Sequence, residues 1–338
     1  MSTLKVVVTP VLDINAHPNA DRLEIASVLG WTCVVPKDVY QPGQSVVYIP
    51  VDAVLPVDLS DRIGVTRYLS NGRVRAAKLR GAVSYGLIMA NEGDHPVGTD
   101  LTEALGITKF EPPIRVTSGD ILPPHPALTH YTNIENIKNY PTLFEEGEEV
   151  IATEKVHGTN CIHALFIDED GQEVFMASSH RHRRKQDPES TYWRTFDEAT
   201  RALLREAIGN GRTALIYKEV YGSKIQHLNY GLSNAVQDVA FDLCVDGRYV
   251  DYDRFKALCD THRVSTAPLL YRGAFDRARL GELINGKGVK TVVGQGQHIM
   301  EGAVIKPTTE RWNPLTGRTI LKWISDAYAL DKNATDFH

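Results

Sequence analysis

This sequence is short of cysteine, of long apolar runs and of any surplus of positive charge, and each shortage excludes a class of protein. Its four cysteines, Cys33, Cys161, Cys244 and Cys259, are widely scattered and include no CxxC pair, which argues against a zinc site and against a disulfide framework. They read as small buried hydrophobes. No stretch is apolar over the length of a bilayer, and the opening MSTLKVVVTPVLDI has no charged segment leading into a long apolar run. A cytoplasmic protein with no membrane partner is therefore expected, and a monomer. Lys and Arg number 37 against 42 Asp and Glu, for a formal net charge of -5. Any contact with a polyanion has to come from a local patch. No internal repeat is visible. What is present is ordinary for a folded chain, with 42% apolar and 23% charged residues, and 338 residues exceed one typical core, so two domains are expected.

From Val6 to Leu55 the short β-rich runs VVVTPVLDI, EIASVLG, TCVVP and SVVYIP alternate with Asn, Pro and Gly punctuation. Closely spaced strands with no long helix predict a small barrel, assigned to residues 1–115. Within it, the string AHPNADRLE from Ala16 to Glu24 resembles the OB-fold tRNA-binding modules attached to some aminoacyl-tRNA synthetases. Such a barrel offers a strand face and loops to oligonucleotides; the same residues also read as an Asn/Pro hairpin loop with no ligand. Proline accumulates between Pro112 and Tyr140, and residues 116–132 are taken as a linker. Residues 133–338 then change texture. CIHALFID, EVFMASS, TALIYKEVYG, DVAFDLCV, RYVDY, IMEGAVIK and RTILKWIS read as strands, and TYWRTFDEATRALLREAIG has helical periodicity. Further helices are expected near 253–262 and 275–284, and Asp246-Gly247 is a hairpin signal.

The segment Glu154-Lys155-Val156-His157-Gly158-Thr159-Asn160 lies just before a strand, which mounts its lysine in a tight polar turn. Gly158 lets the backbone approach a nucleotide, and Thr159 and Asn160 offer polar contacts to sugar or phosphate. A free lysine has a pKa of about 10.4, so nucleophilic use near neutrality needs nearby cations or desolvation. A solvated lysine beside a glycine turn is the alternative reading of this heptapeptide alone. EKVHGTN, however, resembles motif I of the covalent nucleotidyltransferases in the version carried by RNA ligases. The later segments follow that family's order: YKEVYG (217–222) resembles motif III, Phe241-Asp242 motif IIIa and EGAVIK (301–306) motif IV, while Ile320-Leu321-Lys322-Trp323 stands where motif V lies. The whole plan resembles the small RNA ligases with an OB module ahead of the transferase domain, the fifth RNA ligase family.

The resemblance implies an α+β protein of two domains, an N-terminal OB-fold β-barrel followed by a mixed α/β nucleotidyltransferase domain, ATP-grasp-like, with antiparallel sheets. It implies an ATP-dependent RNA ligase in which Lys155 becomes lysyl-AMP, AMP passes to a 5′-phosphate, and a 3′-hydroxyl displaces it, as in RNA repair. RNA or RNA/DNA ends, as in a nicked duplex, are the implied partner. Glu219 and Glu301 suit Mg2+ or Mn2+ as hard oxygen ligands. Phe241 and Val304 would form a slot for adenine, and Lys306 and Lys322 would neutralise phosphate oxygens and lower the pKa of Lys155. Glu154, His157, Gly158 and Asn160 would line the nucleotide site. Glu301 beside Gly302, with Val304 and Lys306 on alternating positions, is expected to put both charged chains on one strand face. From the basic cluster His180-Arg181-His182-Arg183-Arg184-Lys185, Arg181 is the candidate for motif Ia; a solvated loop is the other reading of that charge.

Asn136 and Lys138 either line the nucleotide site or form a polar segment at the domain entrance. Two departures from the family pattern stand out: His157 occupies a place where many ligases have Asp, and Ile320 replaces the first lysine of motif V. A capping-type guanylyltransferase and a non-catalytic RNA-binding protein are the rival functions. Two glycine-rich strings carry nothing. In Gly281 to Lys287, Gly288 replaces the Ser or Thr a phosphate loop needs, so a helix C-terminus is expected, and Gly294-Gln295-Gly296 lacks the third glycine of a dinucleotide fingerprint.

Overall fold

The computed structural model describes residues 3–111, 120–294 and 298–334. Residues 116–119 of the expected linker, and Gln295 and Gly296 of the discarded string, lie outside the described residues. The chain gathers into two compact units: Met1–Ile114, Asn133–Phe144 and Asp326–His338 form the first, and Arg115–Thr132 and Glu145–Ser325 the second.

The first unit is built of short strands: β1 (Val7–Pro10), β2 (Asp13–Ala16), β3 (Leu23–Val28), β4 (Trp31–Pro36), β5 (Ser45–Ile49), β6 (Ala53–Val54), β7 (Ala77–Leu79), β8 (Ala82–Ser84), β9 (Leu87–Ala90), β10 (Thr108–Lys109) and β11 (Glu135–Asn136), with helix α1 (Val57–Arg62). They pair in the orders β1-β5-β9, β2-β3-β4, β7-β8 and β10-β6, and no ladder closes them into a ring among the described residues. The β3–β4 hairpin shows the period-2 logic, since Ala26, Val28, Trp31, Cys33 and Val35 are all buried while their neighbours alternate outward. At its tip Gly30 is obligatory, because a β-carbon there would come within 2.7 Å of the Lys138 backbone. Val6, Val8, Val47, Ile49, Leu59 and Ile107 make the core. In the AHPNADRLE turn, a ring nitrogen of His17 lies 3.0 Å from the Leu79 carbonyl and Asn19 Nδ2 donates to the Arg80 carbonyl at 3.1 Å, so these polar groups fasten the turn to the β7–β8 hairpin.

The second unit contains β12 (Glu149–Lys155), β13 (Thr159–Ile167), β14 (Glu173–Ser179), β15 (Arg183–Arg184), β16 (Thr213–Gly222), β17 (Val236–Val245), β18 (Arg248–Tyr249), β19 (Leu269–Ala274), β20 (Gly302–Pro307), β21 (Trp312–Asn313), β22 (Gly317–Arg318) and β23 (Leu321–Ile324). Its helices are α2 (Thr191–Arg194), α3 (Glu198–Ile208), α4 (Tyr252–His262) and α5 (Arg277–Asn285). Two antiparallel sheets dominate, one in the order β15-β14-β13-β16-β17-β18 and one containing β23-β20-β12-β19. The helical stretch 191–209 is broken in two, because the Asp197 side chain accepts the Thr200 N–H at 2.9 Å and starts α3 afresh. Asp246 and Gly247 both take positive φ, 46° and 77°, as a type I′ hairpin turn requires. The string from Gly281 is indeed the end of a helix, α5, whose C-cap is Gly286.

Leu203, Leu204, Phe255 and Leu258 of α3 and α4 pack on Leu165, Ile216 and Leu243, which covers one face of the six-stranded sheet. On the other face a β-bulge intervenes. Tyr217 pairs with Asp242 and Lys218 with Ala240, leaving Phe241 as the extra residue. A bulge re-aims its strand, so Ala240 and Leu243 both join the helix-side core while Phe241 and Asp242 turn together to the opposite face.

Candidate active site

Lys155 is the last residue of β12 and lies opposite Gly302 of β20, while Thr153 lies opposite Val304 and Val304 opposite Lys322. Directly paired residues share a face and alternate residues repeat it, so Lys155, Val304, Lys306 and Lys322 all project from one side of this sheet. The turn Val156-His157-Gly158 then leads into β13. A β-carbon on Gly158 would fall 2.2 Å from the Val220 carbonyl oxygen and 3.1 Å from Glu219 Cγ. Only glycine fits, and its close approach brings Glu219 beside the lysine turn. Across the sheet from Glu219, Asn160 holds a buried Oδ1 with no hydrogen-bond donor.

The Lys155 ammonium donates to Glu301 Oε1 at 2.7 Å; the lysine side chain is 22% exposed and the glutamate 1%. The other carboxylate oxygen, Oε2, lies 3.2 Å from His157 Nδ1, off the line of a hydrogen bond, and receives no hydrogen-bond donor. An unsatisfied buried carboxylate oxygen and a second carboxylate at Glu219 are hard oxygen donors of the kind Mg2+ or Mn2+ takes, and the described residues hold no group of three His, Cys, Asp or Glu that could bind a metal by itself. Such ions keep several waters and take phosphate oxygens rather than a full protein cage.

Asp242 is fully buried and gathers Lys306 at 2.9 Å, Arg318 at 2.6 Å and the Tyr131 hydroxyl at 2.7 Å. Glu310 completes the cluster, taking Lys306 at 3.0 Å and Arg318 Nε at 2.6 Å. Burial alone would raise the Asp242 carboxyl, but the adjacent Arg318 and Lys306 hold it below its ordinary value. Phe241, beside it, meets the Tyr131 ring edge-on at 5.0 Å.

The structure thus brings together Lys155, His157, Glu301, Gly158 and Glu219, with Val304 and the buried Lys322 on the same sheet face. It does not place Glu301 and Lys306 on one strand face: Glu301 precedes β20 and stands an odd number of positions from Lys306, so it reaches Lys155 from the strand's start. Lys306 is instead committed to Asp242 and Glu310. Glu154 points away from Lys155 by alternation, and accepts the Val292 N–H at 2.9 Å and the Thr291 hydroxyl. Burial, with Glu301 adding to it, raises its carboxyl above the usual value. Lys218 likewise faces the helices, bound to Asp238 at 2.6 Å and Thr200 at 2.8 Å. Arg181 is exposed in the β14–β15 turn. The arginine linked by contact to the lysine turn is Arg184, whose guanidinium lies 4.8 Å over the Tyr192 ring, and the Tyr192 hydroxyl reaches Thr159 Oγ1 at 3.5 Å. Lys138 is half-buried within the first unit, 3.9 Å from the Tyr85 ring centroid, and its backbone N–H donates to Asn136 Oδ1 at 3.0 Å. Tyr131, His227, Tyr230, Glu310 and Arg318 gave no sign in the sequence, because their partners are distant along the chain.

A family model for RNA ligases matches residues 148–324, just over half of the 338. The chain belongs to the RNA ligase family. The ordered motifs from Lys155 to Lys322 all fall within the matched span, and this membership makes RNA ends its substrate. A model for an OB-fold domain matches residues 5–91. Among solved structures, the Naegleria gruberi RNA ligase is similar in several forms. A mutant with ATP and Mn superposes with a TM-score of 0.78 at 23% identity, over 96% of this chain and 97% of that one. A second mutant, with AMP and Mn, gives 0.79 at 22%, over 97% and 98%. The form with PPi gives 0.76 at 22%, over 97% and 98%. At these identities the likeness speaks for the fold, OB-type strands followed by a mixed α/β ligase domain. Comparison with curated proteins gives no match. No helix among the described residues is long and apolar enough to cross a membrane.

Proposed function

We propose that this RNA ligase is ATP-dependent and joins a 3′-hydroxyl to a 5′-phosphate through lysyl-AMP at Lys155 and an adenylated 5′ end. The observation that carries the reading is the Lys155 ammonium, 2.7 Å from buried Glu301, on the same sheet face as Val304 and Lys322. Attack by the Lys155 amine on the α-phosphorus forms the N–P bond and releases pyrophosphate. Lys322 faces the charge that builds there. Phe241 and Val304 flank the base, and His157, Gly158, Asn160 and Arg181 complete the nucleotide site, with Glu154 anchoring β12 from behind. Glu219 and Glu301 would hold Mg2+ or Mn2+, which supplies charge neutralisation at the phosphates. The Naegleria gruberi enzyme solved with ATP or AMP and Mn supports the choice of nucleotide and ion.

The functional division we infer is an OB module over residues 1–115, a linker at 116–132 and a transferase domain at 133–338. The reading extends to nicked duplex ends, a monomer, and RNA repair in the cytoplasm. Incubation with labelled ATP or GTP tests its centre. ATP should label the protein and Lys155→Ala should abolish the adduct, while matched RNA/DNA nicks report strand preference. Labelling by GTP alone would indicate a capping-type guanylyltransferase, and absence of any adduct would end the proposal.

A further inference from the structure

The loop between β16 and β17 clasps the lysine turn at three points. Gln226 Nε2 donates to the Gly158 carbonyl at 3.4 Å, the Tyr230 hydroxyl accepts the His157 backbone N–H at 2.7 Å, and His227 Nδ1 lies 3.1 Å from His157 Nε2. The two imidazoles meet edge-on with centroids 4.6 Å apart. Leu228 and Tyr230 root the loop in the core, whereas the His227 side chain is exposed. His157 is buried, and its other nitrogen, Nδ1, faces Glu301 Oε2 at 3.2 Å.

A neutral imidazole has one N–H and one lone pair, and which nitrogen holds which is set by its neighbours. A carboxylate oxygen 3.2 Å from Nδ1 repels a lone pair there and favours the N–H. Nε2 then carries the lone pair and needs a donor. We infer that His227 is a positioning residue: its Nδ1–H donates to His157 Nε2, fixes His157 as the Nδ1–H tautomer, and thereby steadies the Glu301 carboxylate whose other oxygen holds Lys155. Such outer partners orient the groups that do the chemistry, and their loss typically costs about 10–100-fold. This inference rests on Lys155 as the adenylated residue, and it extends the reading of the site to a loop outside every motif.

The test uses the full chain with His227→Ala and His227→Asn, since an Asn side-chain amide can replace the Nδ1 donor. Long-range proton–nitrogen spectra of histidine-labelled protein report the His157 tautomer, with His157→Asn identifying its signals. The wild type and His227→Asn should show the Nδ1–H form, and His227→Ala should lose it. The rate of lysyl-AMP formation should fall about 10–100-fold in His227→Ala, recover in His227→Asn, and do so with an unchanged melting temperature. An Nε2–H or doubly protonated His157 in the wild type would overturn the inference. So would equal slowing in both variants, or wild-type adenylation in His227→Ala. If the wild type forms no lysyl-AMP at all, the Lys155 reading fails, while the tautomer spectra still decide this one.

Discussion

Asp242 shows how much one side chain can hold. It is the acid shared by Lys306 and Arg318 at 2.9 and 2.6 Å, and all three are buried. Removing one member of a buried ionic cluster leaves the others uncompensated and costs about 3–5 kcal/mol. Asp242→Asn should therefore lower stability to urea by about that much near neutral pH. The pH dependence follows from its depressed carboxyl. Because the folded value lies below the unfolded one of about 3.9, the stabilisation is complete above the unfolded value and lost as pH falls through the folded one. Protonation then does to the wild type what the substitution does at once, so the two stability curves should converge in acid. Curves that stay parallel would show that the cluster is not what the charge supports. At this scale the sequence was legible where residues announce chemistry in an order, as Lys155, Glu219, Glu301 and Lys322 do. It was silent on Arg318, whose contact to the Tyr131 hydroxyl spans 187 positions.

Elements were legible where a period survives. β16 matches its ten-residue run from Thr213 to Gly222, and α4 and α5 fall within two residues of expectation. The bulge was not legible, because one added residue leaves VAFDLCV looking like any buried strand. Nor was the break before α3, since Asp197 fits a helical pattern until its side chain caps the next turn. The β12–β13 turn is where element geometry governs chemistry most directly. At Gly158 a methyl group would stand 2.2 Å from the Val220 carbonyl oxygen, a backbone atom that cannot swing aside. Gly158→Ala must push the turn off β16, and overpacking of this kind costs about 1–3 kcal/mol. The displaced turn carries Lys155 and His157, so adenylation should fall more than tenfold even where the fold persists. Thermal melting beside single-turnover labelling with ATP separates the two effects, and wild-type labelling by this variant would refute the close approach.

At the scale of the whole molecule, composition marks a change of texture but not where a chain returns: Asn133–Phe144 and Asp326–His338 group with the first unit. Charge is read more simply. With a net charge of -5 the protein has no diffuse attraction to RNA, so a few cations must neutralise the phosphates. The cluster 180–185 is the densest basic stretch, but its members are not equivalent. Burial lowers His180 to about 4, which leaves it neutral at physiological pH. Arg183 and Arg184 are half-buried in β15, and Arg184 packs on Tyr192. Arg181 and Lys185 are exposed and able to meet a phosphate. Each phosphate contact contributes about 0.7–0.9 to the slope of log affinity against log salt. Replacing Lys185 by Ala should thus flatten the slope for nicked RNA by roughly 0.7–0.9 and leave labelling by ATP untouched, because Lys185, unlike Arg181, has no place in the proposed nucleotide site. A binding titration at several salt concentrations reads this directly. An unchanged slope would mean that the cluster is only a solvated loop and that RNA is gripped elsewhere on the protein.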